Sequence, residues 1–584
     1  MRSTQSVAVR APVHARQGFV ERASRARGSR SLLALLLSVA SVACGTAKEG
    51  SRGTDAGLEV GRYDGNVYVD AGPPPPASVD VLTGHNDVSR TGANLNETVL
   101  TTSNVTPTTF GKLFSLPVDG LIYAQPLFVS QYLINGAVHN ALVVASMNNS
   151  VYAFDADTGG NPLWHVNLGP IVPSSVIHTQ NIQVGVGILS TPVIDRVNGL
   201  IYLTCKTYDA ASKLQTQSLH VLELGTGKDM KGSPVVITAT VQGTTDAGPT
   251  TITYDPYYQA QRPALLLLNG SVYLAFASHE DHMPFHGWIL RYQYDAAAGT
   301  LAQTGVFNTT PDGTSGGIWQ GGQGMLSDGT SIYTMVANGS VTVPFGGQSY
   351  GESFLKLAPD LSVQDWFIPD GWEPANMADD DLGSGGPVLI PGTRLLAGGG
   401  KLGTIFVVDS ANMGHYNAMD DNNVQEWMGT NSIYGSPVIW AGTTGQPQLY
   451  LWGSEDVLKG WRLSNGRFDT TPFAQTTIKT PAGLCDPVGA LAVSSNGSKP
   501  GTGIVWASMP TANPDHATVP GVFYALDAET LAVLWNSGPA GSANDFGAYA
   551  KFVPPTVTNG KVYLATHSQK VVVYGLLGVG STDH

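Results

Sequence analysis

The sequence predicts an all-β chain assembled from repeated sheet modules, and three observations carry that prediction. Residues 151–164, VYAFDADTGGNPLW, pack a strand, a tight turn and the start of a second strand into one short stretch. Its first four residues are β-branched, small or aromatic, and Gly159 and Gly160 tolerate the positive φ that the turn needs. The stretch also recurs. Residues 522–535 (VFYALDAETLAVLW) repeat Ala, Asp, Thr and Trp in the same order, with weaker copies at 219–228, 289–300, 404–409 and 571–577. Finally, 584 residues with 42% hydrophobic, only 13% charged and 70 Gly suit a large core made of many short strands joined by turns. A two-strand unit cannot bury both of its faces alone, so its repetition implies a stack or a closed ring.

Ala153, Asp155, Thr158, Gly159 and Trp164 resemble the A-x-D-x-x-T-G-x-x-x-W motif of the pyrroloquinoline-quinone-like β-propeller repeats, in which the Trp docks between neighbouring blades. One extra residue precedes Trp164. In the copy near the C-terminus Ala525, Asp527 and Trp535 fill the equivalent positions, and Leu531 stands where the motif has Gly. The resemblance spans residues 80–577 and implies an eight-bladed propeller of four-stranded antiparallel blades. Blade starts are expected where Pro or Gly precedes a hydrophobic run: Pro126, Pro192, Pro263, Gly324, Pro387, Pro437, Pro487 and Pro555. Seven blades is the alternative if the Gly324 unit is irregular.

Residues 1–43 read as an export signal. The first 30 are Arg-rich, and the apolar run at 32–42 is too short to span a bilayer. Ser41, Val42, Ala43, Cys44 and Gly45 resemble a bacterial lipobox, with Cys44 as the lipid acceptor and Ser41 a departure from the usual aliphatic residue; an ordinary signal peptide cleaved nearby is the other reading. Gly45 after the Cys does not favour retention at the inner membrane. Residues 44–79, including Pro73 to Pro76, hold too little apolar content to fold and read as a tether, and residues 578–584 as a tail. The first 43 residues carry seven Arg and one Glu, leaving 23 basic and 43 acidic residues, a net of −20, in the remainder. That balance argues against nucleic acid as the main partner.

After Asp80, VLTGHNDVSRTGANLN resembles the lead-in often found before such propellers. Residues 110–118 are expected to supply the outer strand of the last blade, joining the chain ends and removing exposed edges. Long loops are expected at 208–217, 278–287, 338–352 and 510–521, all on the same face as Gln320, Asp381 and Ser436, around the mouth of the central channel.

The densest polar cluster is SHEDHMPFHGW at 278–288, which holds His279, Glu280, Asp281, His282 and His286. His279 and Asp281 are candidate metal ligands, although the spacing matches no dedicated zinc motif; the other reading is a loop cap in which they satisfy backbone groups. Arg262, Trp319, Gln320, Ser384 and Lys401, with His279 and His286, are candidates for a polar funnel holding an anionic or sugar-like ligand. Trp319 would be its stacking plate and Arg262 or Lys401 its carboxylate partners. Alternatively, Ser384 and the acids at 379–381 satisfy turns and Trp319 packs between blades.

The quinoprotein dehydrogenases share the implied fold. The resemblance implies pyrroloquinoline quinone with calcium as possible cofactors, a Trp beneath the quinone, and Asp381 or Asp281 as the candidate base. Departures weaken that reading. The chain has three cysteines, none adjacent, where those enzymes carry a Cys-Cys disulfide over the quinone, and no Cys-x-x-Cys-His motif for a c-type haem. Cys205 and Cys485 are expected far apart around the ring and unbonded. There is no Gly-rich phosphate loop and no His-Glu-x-x-His, and residues 313–317 (GTSGG) lack the strand-to-helix setting of a nucleophile elbow. Two functions follow as expectations. The first is an exported, lipid-anchored, monomeric binding or scaffolding propeller whose long-loop face takes an envelope protein or glycan. The second is a quinone-dependent alcohol or sugar dehydrogenase without a haem domain.

Overall fold

The computed structural model describes residues 79–245, 248–481 and 488–578, and these form eight four- or five-stranded sheets arranged as successive propeller blades. Two two-stranded ribbons, Val172–Pro173 with Gly185–Val186 and Thr240–Thr245 with Gly248–Thr253, lie beside them. Blade 1 runs Leu127–Ile134, Ala137–Ala145, Ser150–Asp155 and Trp164–Asn167, each strand antiparallel to the one before. The seven described anchors each lead into an inner strand within three residues, as at Pro126 before Leu127 and Gly324 before Leu326. Pro487 lies outside the described residues, and the inner strand of that blade is Ala490–Ser494. The Gly324 unit is a regular four-stranded blade, so the count is eight.

Ring closure is as expected from the sequence. Phe110–Pro117 pairs antiparallel with Lys570–Leu576, so the eighth blade takes its outer strand from the N-terminal side of the propeller. The expected loop at 208–217 is different: Leu200–Asp209 and Leu214–Glu223 stay paired out to Asp209 and Leu214, leaving only a four-residue turn. Cross-strand partners such as Thr207 with Thr216 continue the ladder, and β-branched residues favour it.

Eight apolar clusters occupy the eight junctions between neighbouring blades. Along blade 1, Val143, Ala145, Val151 and Ala153 face blade 2, while Leu142, Val144, Tyr152 and Phe154 face blade 8. Alternation puts successive side chains on opposite faces, and both faces are covered, so the strands read as continuous hydrophobic runs. The repeat residues act at these junctions. The Trp164 indole donates to the Leu224 carbonyl of blade 2 at 3.0 Å and lies over Gly227, where a Cβ would fall 2.5 Å from the ring. Trp535 packs against Phe110 and Tyr574 of blade 8, with ring centroids 5.0 and 5.3 Å apart. Asp155 and Asp527 close the same turn. Each accepts hydrogen bonds through one carboxylate oxygen from two backbone N–H groups and from a Thr hydroxyl, Thr158 and Thr530 respectively. Ala153 and Ala525 are fully buried, which leaves the space the docking Trp fills. Leu531 does occupy the glycine position at φ 55°, where Gly159 has φ 71°.

The lead-in segment does more than precede the ring. It threads the channel and bonds to the inner strands of all eight blades in order. Val81 pairs with Phe128, Leu82 accepts from Ile194, and Thr83 donates to Leu265. Val88, Ser89, Thr91 and Gly92 accept from Ser327, Leu389, Ile439 and Val493, and the Asn94 amide donates to Val557. Ala93–Asn94 adds a parallel strand to the inner edge of blade 7. Arg90, fully buried, pins this plug: its guanidinium donates to the carbonyls of Met325 (2.9 Å), Gly84 (2.6 Å) and Leu265 (3.1 Å) and to the Thr83 hydroxyl (2.7 Å). No helix of the described residues is long and apolar enough to cross a membrane.

Candidate functional site

Above the plug, the loops that precede the inner strands gather at the channel mouth. A cavity of about 340 Å³ opens there, walled by Arg262 of blade 3, Trp319 of blade 4, Asp381 and Lys401 of blade 5, and Lys551 and Phe552 of blade 8. The loops at 278–287 and 510–521 add Asp281, Asp515 and His516. The cavity is closed below where blade 4 meets blade 8. A Cβ on Gly322 would fall 1.9 Å from the Phe552 carbonyl oxygen, and one on Gly321 would fall 2.6 Å from the Phe552 ring. Four non-glycine residues of this wall have left-handed backbone: Glu280 (φ 50°), Asp281 (55°), Asp379 (60°) and Phe552 (63°). Such conformations are costly for side-chain-bearing residues and persist where surrounding structure holds them.

The charges divide into committed and uncommitted groups. Lys401 lies 2.7 Å from Asp381 and 3.0 Å from Asp379; burial works against its ammonium, but the two carboxylates overcome this and hold its pKa above the usual lysine range. The other Asp381 oxygen accepts from the Asn338 backbone at 3.0 Å. Glu280 is committed to the backbone N–H groups of Gln180 and Asn181 and the Thr179 hydroxyl. Asp281 is not paired with a cation. Burial at the wall, with Asp381 and Asp379 facing it, pushes its carboxyl up to about 6. Lys551 donates to the backbone carbonyls of Asp515 (2.6 Å) and Asn181, and burial, with Arg262 nearby, pulls it down to about 7.

Arg262 is the uncommitted cation. Its guanidinium lies between two rings, 5.2 Å from the centroid of Trp319 and 4.5 Å from that of Phe552, and its Nε is buried without a hydrogen-bond partner. Burial lowers its pKa to about 10, so it remains charged. A planar cation held between two aromatic faces, with its donors unused, is equipped to receive a carboxylate or similar anion.

Of the residues singled out in the sequence, Arg262, Asp281, Trp319, Asp381, Ser384 and Lys401 line this one cavity. Ser384 is also a brace, donating to the Ile433 carbonyl at 2.6 Å. Three others are placed elsewhere. His279 is buried beside Lys206, whose ammonium donates to Nε2 at 2.8 Å, and burial with that neighbour drives its pKa well down. His286 pairs with the Thr310 hydroxyl at 3.0 Å, and Gln320 is buried, accepting from Thr334 at 3.2 Å. None of the three lines the cavity. Lys551, Phe552, Asp515 and His516 do and were not singled out. The last two sit in a loop whose length alone pointed to this face, whereas nothing local distinguishes Lys551 from a solvated surface lysine.

A second constellation has catalytic geometry without access. Cys205 Sγ lies 3.2 Å from His220 Nε2, and His220 Nδ1 lies 3.0 Å from Asp229. The thiol is fully buried in the cluster between blades 1 and 2, and burial pushes it up to about 12. No nucleophile is available there. Cys205 is unbonded; Cys44 and Cys485 lie outside the described residues.

Solved structures share this architecture. Quinohemoprotein alcohol dehydrogenase from Comamonas testosteroni is 14% identical with a TM-score of 0.54, over 86% of this chain and 81% of that one. Quinohemoprotein alcohol dehydrogenase ADHIIG from Pseudomonas putida HK5 is 13% identical with a TM-score of 0.52, over 87% and 81%. The chain shares the eight-bladed propeller fold of these structures. No protein-family profile and no curated protein sequence matches it. The quinoprotein likeness raises the question of whether the cavity suits a quinone with calcium, and its residues answer in two parts. Arg262 between Trp319 and Phe552 fits an anionic aromatic group. Calcium does not fit: Asp379 and Asp381 already share the Lys401 ammonium, and among the described residues no three His, Cys, Asp or Glu gather as a metal site.

Proposed function

We propose that this quinoprotein-fold propeller is a binding module, exported and lipid-anchored through Cys44, whose channel-mouth cavity receives a small carboxylate-bearing ligand presented by an envelope protein or glycan, or free. The observation that carries the reading is the Arg262 guanidinium held between Trp319 and Phe552 with its Nε buried and unpartnered. In this reading Arg262 pairs with the carboxylate while Trp319 flanks an aromatic or sugar ring. Asp281, titrating near neutral pH, accepts a hydrogen bond from a ligand hydroxyl, and the Lys401 pair with Asp379 and Asp381 keeps that wall rigid. Calorimetric titration of the full chain with benzoate tests it: saturable 1:1 binding in wild type, lost in Arg262→Gln, is expected. Equal binding in the two proteins would refute it.

The quinoprotein fold favours a second reading, a quinone-dependent dehydrogenase in which Arg262 would hold a quinone carboxylate and Asp281 would be the base. Bound quinone would supply the two-electron oxidation of an alcohol or sugar. Adding pyrroloquinoline quinone with and without calcium separates the readings. A shifted quinone absorbance together with dye reduction by alcohols or sugars favours the enzyme, and no binding at micromolar quinone eliminates it.

A further inference from the structure

On the far side of the 379–382 segment lies a separate, smaller pocket of about 150 Å³ between blades 4 and 5, beneath the short helix Trp372–Ala378. By volume it holds about five water-sized groups. Its chemistry is the opposite of the channel mouth. The lining includes five carboxylates, Glu352, Asp370, Asp380, Asp421 and Glu426, and no Lys, Arg or His, while Trp372, Leu382, Leu402 and Phe406 supply apolar walls.

Acidic residues together do not make a site, but Glu352 adds an independent observation. It is 2% exposed, one carboxylate oxygen accepts from the Leu382 backbone at 2.9 Å, and the other is buried with no partner. A buried carboxyl oxygen left without a partner costs free energy unless a ligand supplies one, and burial, with Asp381 nearby, holds this carboxyl well above the usual carboxylate range. Glu352 also has left-handed backbone, φ 48°, so the chain is held in a costly conformation where it presents this group. At the outer end Asp421 accepts from the Asp370 backbone at 2.7 Å. Burial, with Glu426 and Asp370 facing it, pushes Asp421 up to about 8.

We infer that this pocket binds a short aliphatic primary amine, its ammonium bonded to Glu352 and its carbon chain lying against Trp372, Leu382 and Phe406. An ammonium is favoured over a metal ion because these acids do not gather as a metal site among the described residues. A primary ammonium also brings three donors to acceptors that lack them, and the apolar walls match a carbon chain rather than a hydrated ion.

The test uses the full chain titrated calorimetrically at pH 8 with n-butylamine, butan-1-ol and calcium chloride. Expected are saturable 1:1 binding of butylamine, none of butanol and no displacement by calcium. Glu352→Gln, which keeps an acceptor for the Leu382 N–H, should weaken butylamine about tenfold, the loss of one charge-assisted hydrogen bond. Asp421→Asn should also weaken it and serves if the first variant folds poorly, while Asp209→Asn, at an exposed turn of blade 2, should bind as wild type. Absence of butylamine binding, equal binding of butanol, displacement by calcium, or unchanged affinity in both pocket variants would each overturn the inference.

Discussion

Arg90→Met should loosen the whole ring, because one side chain bonds the channel plug to blades 3 and 4. The substitution removes four hydrogen bonds from a group with no solvent exposure and leaves the Met325 and Gly84 carbonyls without that donor; Leu265 keeps only the long 3.4 Å contact from Thr83. Each buried acceptor left unmet costs about 1–3 kcal/mol, which for two of them and a weakened third gives about 3–6 kcal/mol. Part is offset, because the guanidinium is itself costly to bury, as its pKa, lowered to about 10 by desolvation, records. The net expectation is a loss of about 3 kcal/mol, read from urea unfolding. Arg462→Met is the control: that arginine is 40% exposed and pairs with Glu529 at the surface, where such pairs contribute about 0–1 kcal/mol. Thermolysin should also cut within residues 79–94 faster in Arg90→Met than in wild type. If the two arginine variants unfold alike and the segment stays protected, the plug is not held as described.

Other expectations concern the repeats, the cavity and the N-terminus. Gly227→Ala should destabilise by about 2–4 kcal/mol, since Ala would adopt φ 73° and meet the Trp164 ring; combined with Trp164→Ala, the two losses should be less than additive in a double-mutant cycle. Benzoate affinity should rise about tenfold or more from pH 8 to pH 5.5, checked by calorimetry. Asp281, raised to about 6, loses its negative charge on that descent, and Lys551, lowered to about 7, gains a positive one, so both changes favour an anion beside Arg262. Cys44→Ala should move the protein from the membrane fraction to the soluble fraction, scored by fractionation and immunoblot.

Much of the architecture was legible because repetition and alternation are local signals. The Asp155 and Asp527 turns, the docking of Trp164 and Trp535, and the closing strand Phe110–Pro117 all follow from residues close in sequence or from the need to cover an edge. The plug was not legible, since the bonds of Val81 to Asn94 go to eight strands spread over the chain, and a buried arginine satisfied by carbonyls reads in sequence like any polar turn. At the cavity, Lys401 stands out because it lies at the turn between Leu395–Gly399 and Thr404–Asp409 of blade 5, and Arg262, Trp319 and Asp381 because they precede the inner strands of blades 3, 4 and 5. Lys551 and Phe552 occupy the same kind of position in blade 8 but lack a distinguishing neighbour. His279 drew attention through its charged loop, yet alternation in the strand that ends at Ser278 sends it inward to Lys206 while Asp281 faces the cavity. The acids of the second pocket are dispersed over residues 352 to 426, and only folding unites them.

The central claim is that Arg262 is the anion seat of the channel mouth, and a crystal structure of the full chain grown with benzoate addresses it most directly. The account predicts the carboxylate on the Arg262 guanidinium, with the benzoate ring against Trp319 and the Lys401 bonds to Asp379 and Asp381 unchanged. Benzoate bound elsewhere, or an Arg262 turned away to pair with Asp281 or Asp515, would contradict it.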